Sequence, residues 1–355
     1  MAKRVIVVGA GIIGASIAWH LAKAGAEVTV LDAAAPGGVA TPNSWGWINA
    51  SWGNPLEYFR LRQWSMREWR RLDREVPGLF VNWCGGLIWD LEPGALDAFA
   101  REHKSWGYGI RRVTRAEILR IEPNLKAVPD HAYHVAEEGV AEPAAAARAL
   151  LSAAETLGAE VLGHTRVKWL IEDEGRVSGV MTDEEPLHAD EIVVAAGVGA
   201  SQLLDSVGVT LKITAPPGLL AHSKPAPELL RGLVMTPGLH VRQTAEGRLV
   251  AGTDFEGADA GDKADELALD LHGKVQALVA GAENFELDFH TLGYRPTPAD
   301  GFPAIGRIKE GAYVAVTHSG VTLAPAIGAF AAQELLEGIR DPLLAPYNPN
   351  RRQLA

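Results

Sequence analysis

Residues 4–14 read Arg4-Val5-Ile6-Val7-Val8-Gly9-Ala10-Gly11-Ile12-Ile13-Gly14, and residues 27–32 read Glu27-Val28-Thr29-Val30-Leu31-Asp32. The β-branched run before the glycines has the composition of a parallel strand buried on both faces. Ile12 to Ala24 predicts a helix and Glu27 to Leu31 a second strand, which makes one βαβ unit. In a G-x-G-x-x-G turn the first glycine permits the tight bend. The second lets a pyrophosphate reach the backbone, and the third lets helix and strand pack closely. Free N–H groups at the positive end of the helix dipole favour a phosphate there. Asp32 stands 18 residues after Gly14, where an acid accepts hydrogen bonds from ribose hydroxyls. The pattern predicts an ADP moiety and does not separate NAD from FAD.

Beyond this unit, Leu56 to Arg74 predicts an amphipathic helix carrying Trp64 and Trp69, and Leu87-Ile88-Trp89 predicts a strand. Thr114-x-x-Glu117 is a capping box opening a short helix. Pro143 starts an alanine-rich helix to about Leu157. Four β-like runs follow, at Glu160–Gly163, Arg166–Ile171, Arg176–Thr182 and Glu191–Ala196. Thr210 to Thr253 is strand-rich, with Thr244-Ala245-Glu246-Gly247 as a hairpin turn between Leu239–Gln243 and Arg248–Gly252. A helix over Lys263–Ala280, a strand near Asp288 and a strand–turn–helix complete the chain. No repeat of fixed period is present. Nucleotide-type segments recur at the start, middle and end, with β-rich inserts between them.

The 355 residues carry 33 Lys and Arg against 44 Asp and Glu, a formal charge of −11. That length suggests roughly two domains at ~150 residues each. No basic excess exists to release counterions from phosphates, which argues against nucleic acid or an anionic membrane as main partner. Cys84 is the single cysteine. It excludes an internal disulfide and a Cys-based zinc site, no metal is expected, and the composition fits a cytoplasmic protein. Val5–Ala22 and Gly311–Gln333 imitate membrane signals by length. Gly9, Gly11 and Gly14 interrupt the first, and His318, Ser319, Gly320 and Pro325 the second, so both read as strand–turn–helix units with no transmembrane segment expected.

Further segments carry a resemblance. They are Gly37-Gly38-Val39-Ala40-Thr41, Asn43-Ser44-Trp45-Gly46-Trp47, the strand Glu191–Val194 ending in Ala195-Ala196-Gly197, and Gly293-Tyr294-Arg295-Pro296-Thr297-Pro298. Asp300-Gly301-x-Pro303-x-Ile305-Gly306 and His318-Ser319-Gly320-Val321-Thr322-Leu323-Ala324-Pro325 complete the set. In this order they resemble the FAD-dependent amine oxidases of the D-amino-acid oxidase, glycine oxidase and sarcosine oxidase superfamily. The resemblance implies an α/β protein: a Rossmann-like FAD-binding domain (1–85, 139–210 and 295–355) and a discontinuous substrate domain on an antiparallel sheet (86–138 and 211–294).

It further implies cofactor contacts from Gly9 to Gly14, Asp32, Ala33, Ala40, Thr41, Asn43 to Trp47, Val167 and Ala195 to Gly197. Arg295 and the turn Ser319 to Leu323 join them, the turn offering bare N–H groups to the flavin's N1–C2 carbonyl edge. Arg295 is expected to fork a substrate carboxylate, with Tyr294 and His318 beside it as catalytic candidates. Arg242 and His240 are expected as further substrate contacts, and Trp45 and Trp47 as pocket walls. Cys84 lies outside any flavin-linking motif, so noncovalent FAD is expected.

The implied reaction moves the α-carbon hydride of an amino acid or N-alkyl amino acid to flavin N5. The imine then hydrolyses, with O2 or another acceptor reoxidising the flavin and no general base needed from the protein. The tryptophan-bearing loop departs from the small-residue form of glycine oxidases, which puts glycine in doubt. Homo-oligomerisation stays open. So do three alternatives: an NAD-linked dehydrogenase; a flavin hydroxylase, whose late Gly-Asp pair has only Gly261-Asp262 as counterpart; and a non-catalytic flavin-binding subunit.

Overall fold

The computed structural model describes residues 2–51, 54–253, 261–351 and 354. The opening strand spans Arg4–Val8. Glu27–Leu31 and then Glu160–Leu162 lie on one side of it, Glu191–Val194 and then Ala312–Val316 on the other, all parallel. Ala304–Lys309 closes the edge antiparallel. Side chains of the first strand alternate between two cores. Val5 and Val7 pack with the helices Ile12–Lys23, Pro143–Thr156 and Gly320–Glu337. Ile6 and Val8 pack with Ile192 and Val194 against Leu170, Val177 and Val180 of a small antiparallel sheet. Burial on both faces is why this strand is an unbroken apolar run. The chain leaves the first strand toward one neighbour and re-enters the sheet on its other side, so a ligand crevice opens at the carboxyl ends, at Gly9 and Ala195.

A second sheet of eight strands has the order Leu287–Tyr294, Pro217–Ser223, Leu249–Gly252, Leu239–Gln243, Leu233–Thr236, Gly86–Ile88, His131–Val135 and Ile110–Thr114. All its pairs are antiparallel except that between Leu233–Thr236 and Gly86–Ile88. The helix Ala264–Leu278 covers one face, where Leu239, Val241, Leu249 and Ala251 point. Residues of opposite parity, Leu220, His240 and Gly252, face a large cavity between the two sheets. A three-stranded patch joins them, with Trp47–Ile48 paired to Gly139–Ala141 and that strand to Val81–Asn82. The architecture is the α/β arrangement expected, with a parallel nucleotide-type sheet and a larger antiparallel one.

The sequence reading omits the helix Pro93–Ser105 and the strands Ile110–Thr114 and His131–Val135. Pro93-Gly94 resembles a loop breaker, yet the proline occupies the first turn, where its missing N–H costs nothing. Gly311–Gln333 resolves into the strand Ala312–Val316, a turn and the start of the helix Gly320–Glu337. Among the described residues no helix is long and apolar enough to cross a membrane.

The first and last helices cross at Gly328. A Cβ there would lie 2.3 Å from Ser16 Oγ, 2.5 Å from His20 Nδ1 and 2.7 Å from the Ser16 carbonyl oxygen. Two of these atoms are already joined, His20 Nδ1 lying 2.8 Å from that carbonyl. Gly328→Ala is therefore expected to destabilise the protein by about 2 kcal/mol through overpacking, although alanine is the better helix former. Thermal denaturation checks it, and an unchanged midpoint would mean the two helices separate at no cost.

Candidate active site

One elongated cavity of about 960 Å³ runs between the sheets. Its first end is built on the glycine turn. Gly9 has φ +109°, and a Cβ on it would stand 2.5 Å from the Ala195 carbonyl oxygen. A Cβ on Gly14 would lie 1.8 Å from the Gly9 carbonyl oxygen. The two strand ends and the first helix thus touch backbone to backbone, and Gly11, Ile12 and Ile13 present the helix N-terminus to the cavity. Asp32 is held by two N–H groups, Ala10 donating to Oδ2 at 2.7 Å and Ala34 to Oδ1 at 2.8 Å. Its carboxylate also lines the cavity, so it remains available as an acceptor. Thr165 to Trp169 close this end.

The middle wall is the segment Ala40–Trp47. Thr41 Oγ1 accepts from the Ile12 N–H at 3.1 Å, tying the segment to the helix start. The indoles of Trp45 and Trp47 meet edge to face, 5.9 Å between centroids. Trp45 Nε1 donates to the Val250 carbonyl at 3.3 Å and Trp47 Nε1 to Glu138 Oε2 at 3.0 Å.

At the far end the last helix presents Gly320, Val321 and Thr322. Pro325 has no N–H to give the Val321 carbonyl, and Trp69 Nε1 takes that place at 2.9 Å. The Ala326 N–H goes to Ser65 Oγ at 3.2 Å, and Thr322 Oγ1 donates to the Trp47 carbonyl at 3.0 Å. Side chains from the helix Leu56–Glu75 thus repair the break that the proline makes. Thr317 Oγ1, just before the turn, is buried and lacks a hydrogen-bond partner among the described residues while lining the cavity. An orphaned polar atom beside a helix N-terminus suits the polar edge of a bound ring. With the turn at Gly9–Gly14 and the carboxylate of Asp32, these residues fit FAD.

Arg295 reaches the same end. It fills a slot that exists because residue 218 is glycine: a Cβ there would sit 2.1 Å from its Nη2. Burial lowers its pKa. Tyr294 lines the cavity beside it. His318 also lines it, its pKa lowered to about 4 by burial and then by Arg295 and Arg62, so its imidazole is neutral at pH 7. His240 faces the cavity with Nε2 3.2 Å from Oδ2 of Asp90, whose side chain is shielded from solvent.

Arg242 differs from expectation. It is 3% exposed and absent from the cavity wall. Its Nη1 and Nη2 fork Glu142 at 2.7 and 3.1 Å, and its Nε donates to the Trp45 carbonyl at 2.6 Å. The guanidinium thus fixes the tryptophan loop. Ala10, Gly14 and Leu323 likewise lie behind the wall and shape it from there. Sequence reasoning missed Asn49, Tyr58 and Arg62, which do line the cavity. Arg62 had a legible signal: it falls on the apolar stripe of its helix, among Tyr58, Phe59, Leu61, Ser65, Met66 and Trp69.

Behind Trp47, Glu138 is completely buried. Ser51 Oγ and Tyr108 Oη donate to its Oε1, and the Ala50 N–H donates to Tyr108 Oη at 3.1 Å. Burial pushes the Glu138 carboxyl up from 4.5 to about 7, against the pull of its donors. The folded state therefore binds this proton more tightly than the unfolded chain. The neutral acid costs nothing below pH 4.5, and the penalty of ionising it grows until about pH 7. Over that window it amounts to about 3 kcal/mol at 1.36 kcal/mol per pH unit. Glu138→Gln, a neutral mimic, should gain on the wild type as pH rises from 4.5 to 7. Urea denaturation of both across that range tests this; a constant difference would show that the group does not titrate there.

The family model described as FAD dependent oxidoreductase matches residues 4–334. The glycine oxidase of Bacillus licheniformis is 30% identical, over 93% of this chain and 92% of its own. That of Pseudomonas putida is 28% identical over 99% and 100%. The solved L-proline dehydrogenase from P. horikoshii has the same fold, with a TM-score of 0.88 at 24% identity over 99% of this chain and 97% of its own. With a glycine turn, an aspartate at the second strand's end and a helix N-terminus lining one cavity, and a family match spanning nearly all of its length, the chain belongs to the FAD dependent oxidoreductase family.

Proposed function

We propose that this enzyme oxidises the Cα–N bond of an amino acid or N-alkyl amino acid, giving an imine that water hydrolyses. The observation that carries the reading is Arg295, a desolvated guanidinium set into the Gly218 slot at the cavity end that also holds His318 and the last helix's N-terminus. A planar fork in that position suits a carboxylate. The naming of two full-length relatives as glycine oxidases supports a carboxylate-bearing amine as substrate.

When bound, FAD supplies a two-electron, hydride-accepting ring. The chain's own residues orient and exclude. Arg295 holds the carboxylate and so fixes the position of Cα. Trp45, Trp47 and Leu220 wall the site with apolar surface and keep water from it. His318, neutral at pH 7, donates or accepts one hydrogen bond and holds no proton in reserve. Arg295 also favours a neutral amine by repelling an ammonium, so the substrate loses its proton to solvent and no side chain need act as base. The segments 1–85, 139–210 and 295–355 serve the cofactor in this reading, and 86–138 with 211–294 the substrate. FAD is held noncovalently: Cys84, whose thiol burial pushes up to about 11, does not line the cavity.

Mixing the holoenzyme anaerobically with D-, L- and N-methyl amino acids should bleach the flavin with at least one of them. Arg295→Met should lower the second-order rate of bleaching on the order of a hundredfold, with Arg295→Lys between. If no amino acid bleaches the wild type, or the methionine variant matches it, the reading fails. Acid precipitation should leave the yellow colour in the supernatant; a yellow pellet would show a covalent link. Admitting air or a quinone to the bleached enzyme then identifies the acceptor.

A further inference from the structure

Arg62 is 7% exposed and lines the same cavity. Its Nε donates to the Asn49 carbonyl at 3.0 Å and its Nη2 to Asn49 Oδ1 at 2.7 Å, both neutral acceptors. It also stands 5.4 Å from the Tyr58 ring, borders the cavity, and lies within electrostatic reach of Glu138 and His103. Among the described residues no carboxylate pairs with it. The other arginine buried to the same degree does have one: Arg242 forks Glu142. Glu138 is within electrostatic reach but forms no ion pair with Arg62: its oxygens are taken by Trp47, Ser51 and Tyr108, and burial holds its carboxyl neutral up to about pH 7. Taking a guanidinium out of water without an anion costs more than neutral hydrogen bonds return.

Arg62 and Arg295 also act on one imidazole. Both guanidiniums lower the pKa of His318, so both charges lie within electrostatic reach of the same point. A single α-carboxylate forked by Arg295 leaves Arg62 without an anion.

We infer that the substrate carries a second carboxylate and that Arg62 binds it, which makes the substrate class the amino- or imino-dicarboxylic acids. The inference rests on the amine-oxidation reading and narrows it. Arg62 is then a substrate-binding residue that sets specificity, with Asn49 holding the guanidinium in place.

The test uses the FAD-loaded enzyme and ligands without an amine, so that nothing turns over. Butyrate is titrated against succinate and glutarate, with the shift of the visible flavin spectrum as readout. At least one dicarboxylate should bind tenfold to a hundredfold more tightly than butyrate. Arg62→Met should abolish that preference while leaving butyrate affinity within about threefold, and Arg62→Lys should retain part of it. Equal affinity of the wild type for all three ligands overturns the inference. So does a methionine variant that weakens butyrate and the dicarboxylates alike, which would show that Arg62 serves the flavin or the fold. If the methionine variant fails to retain FAD, the wild-type preference and the lysine variant decide. Anaerobic bleaching separates the two readings. Bleaching by neutral amino acids as fast as by aspartate, glutamate or iminodiacetate would sink the dicarboxylate inference alone. A dicarboxylate preference with no bleaching by any amine would sink amine oxidation instead.

Discussion

Two contacts between backbone atoms govern the rest of the molecule. The first helix approaches the opening strand so closely that residue 14 has no room for a Cβ above the Gly9 carbonyl. Gly9 in turn leans on the Ala195 carbonyl. These contacts set where the helix N-terminus points and bring two sequence-distant segments to one crevice. A methyl group at either glycine would pry them apart, whatever the rest of the core contributed.

From that crevice outward, the wall Thr41–Ser51 is positioned by polar contacts from several directions. Thr41 is bonded to the first helix, Trp45 to Arg242, and Trp47 to both Thr322 and Glu138. Asn49 is held by Arg62, and Ser51 by Glu138. Such a net is stiff because each member is satisfied only in one arrangement. It also accounts for the buried ionisable groups: Arg242 and Glu138 are kept inside to fix a short, irregular segment that apolar packing alone would leave free to slide. The proline break at Pro325, filled by Trp69, serves the same end by holding the last helix's start against that wall.

Much of this was legible from local pattern. The glycine turn, Asp32, the small residues after Val194 and the turn at Ser319–Thr322 each need particular residue types at fixed spacing, and they do meet in one cavity. Arg242 was not legible in the same way, because its role depends on Glu142, 100 residues earlier and adjacent only after folding. Glu138 follows another glutamate in the turn between the strands His131–Val135 and Gly139–Ala141, and nothing in its neighbours announces complete burial. The helix Pro93–Ser105 was hidden by a Pro-Gly pair that reads equally well as a loop. Arg62 lay in between. Its helix was evident and its place on the buried stripe countable, but a charge on such a stripe acquires meaning only when its counter-ion is sought and not found.

For the anionic substrate proposed above, the protein's own charge of −11 poses the question of how that substrate is received. Ionic screening limits repulsion from surface carboxylates to about 8 Å at physiological ionic strength, so the net charge scarcely opposes entry into a buried cavity. Inside, the balance reverses. Two guanidiniums and a neutral imidazole share the far end, while the carboxylate of Asp32 sits at the other. Low-dielectric walls of tryptophan and leucine strengthen every charge between them. In the proposed reading, selection among amines is exercised where water has been removed, by side chains from the helix 56–75 and the strand end at 294–295 rather than from the protein's outer surface.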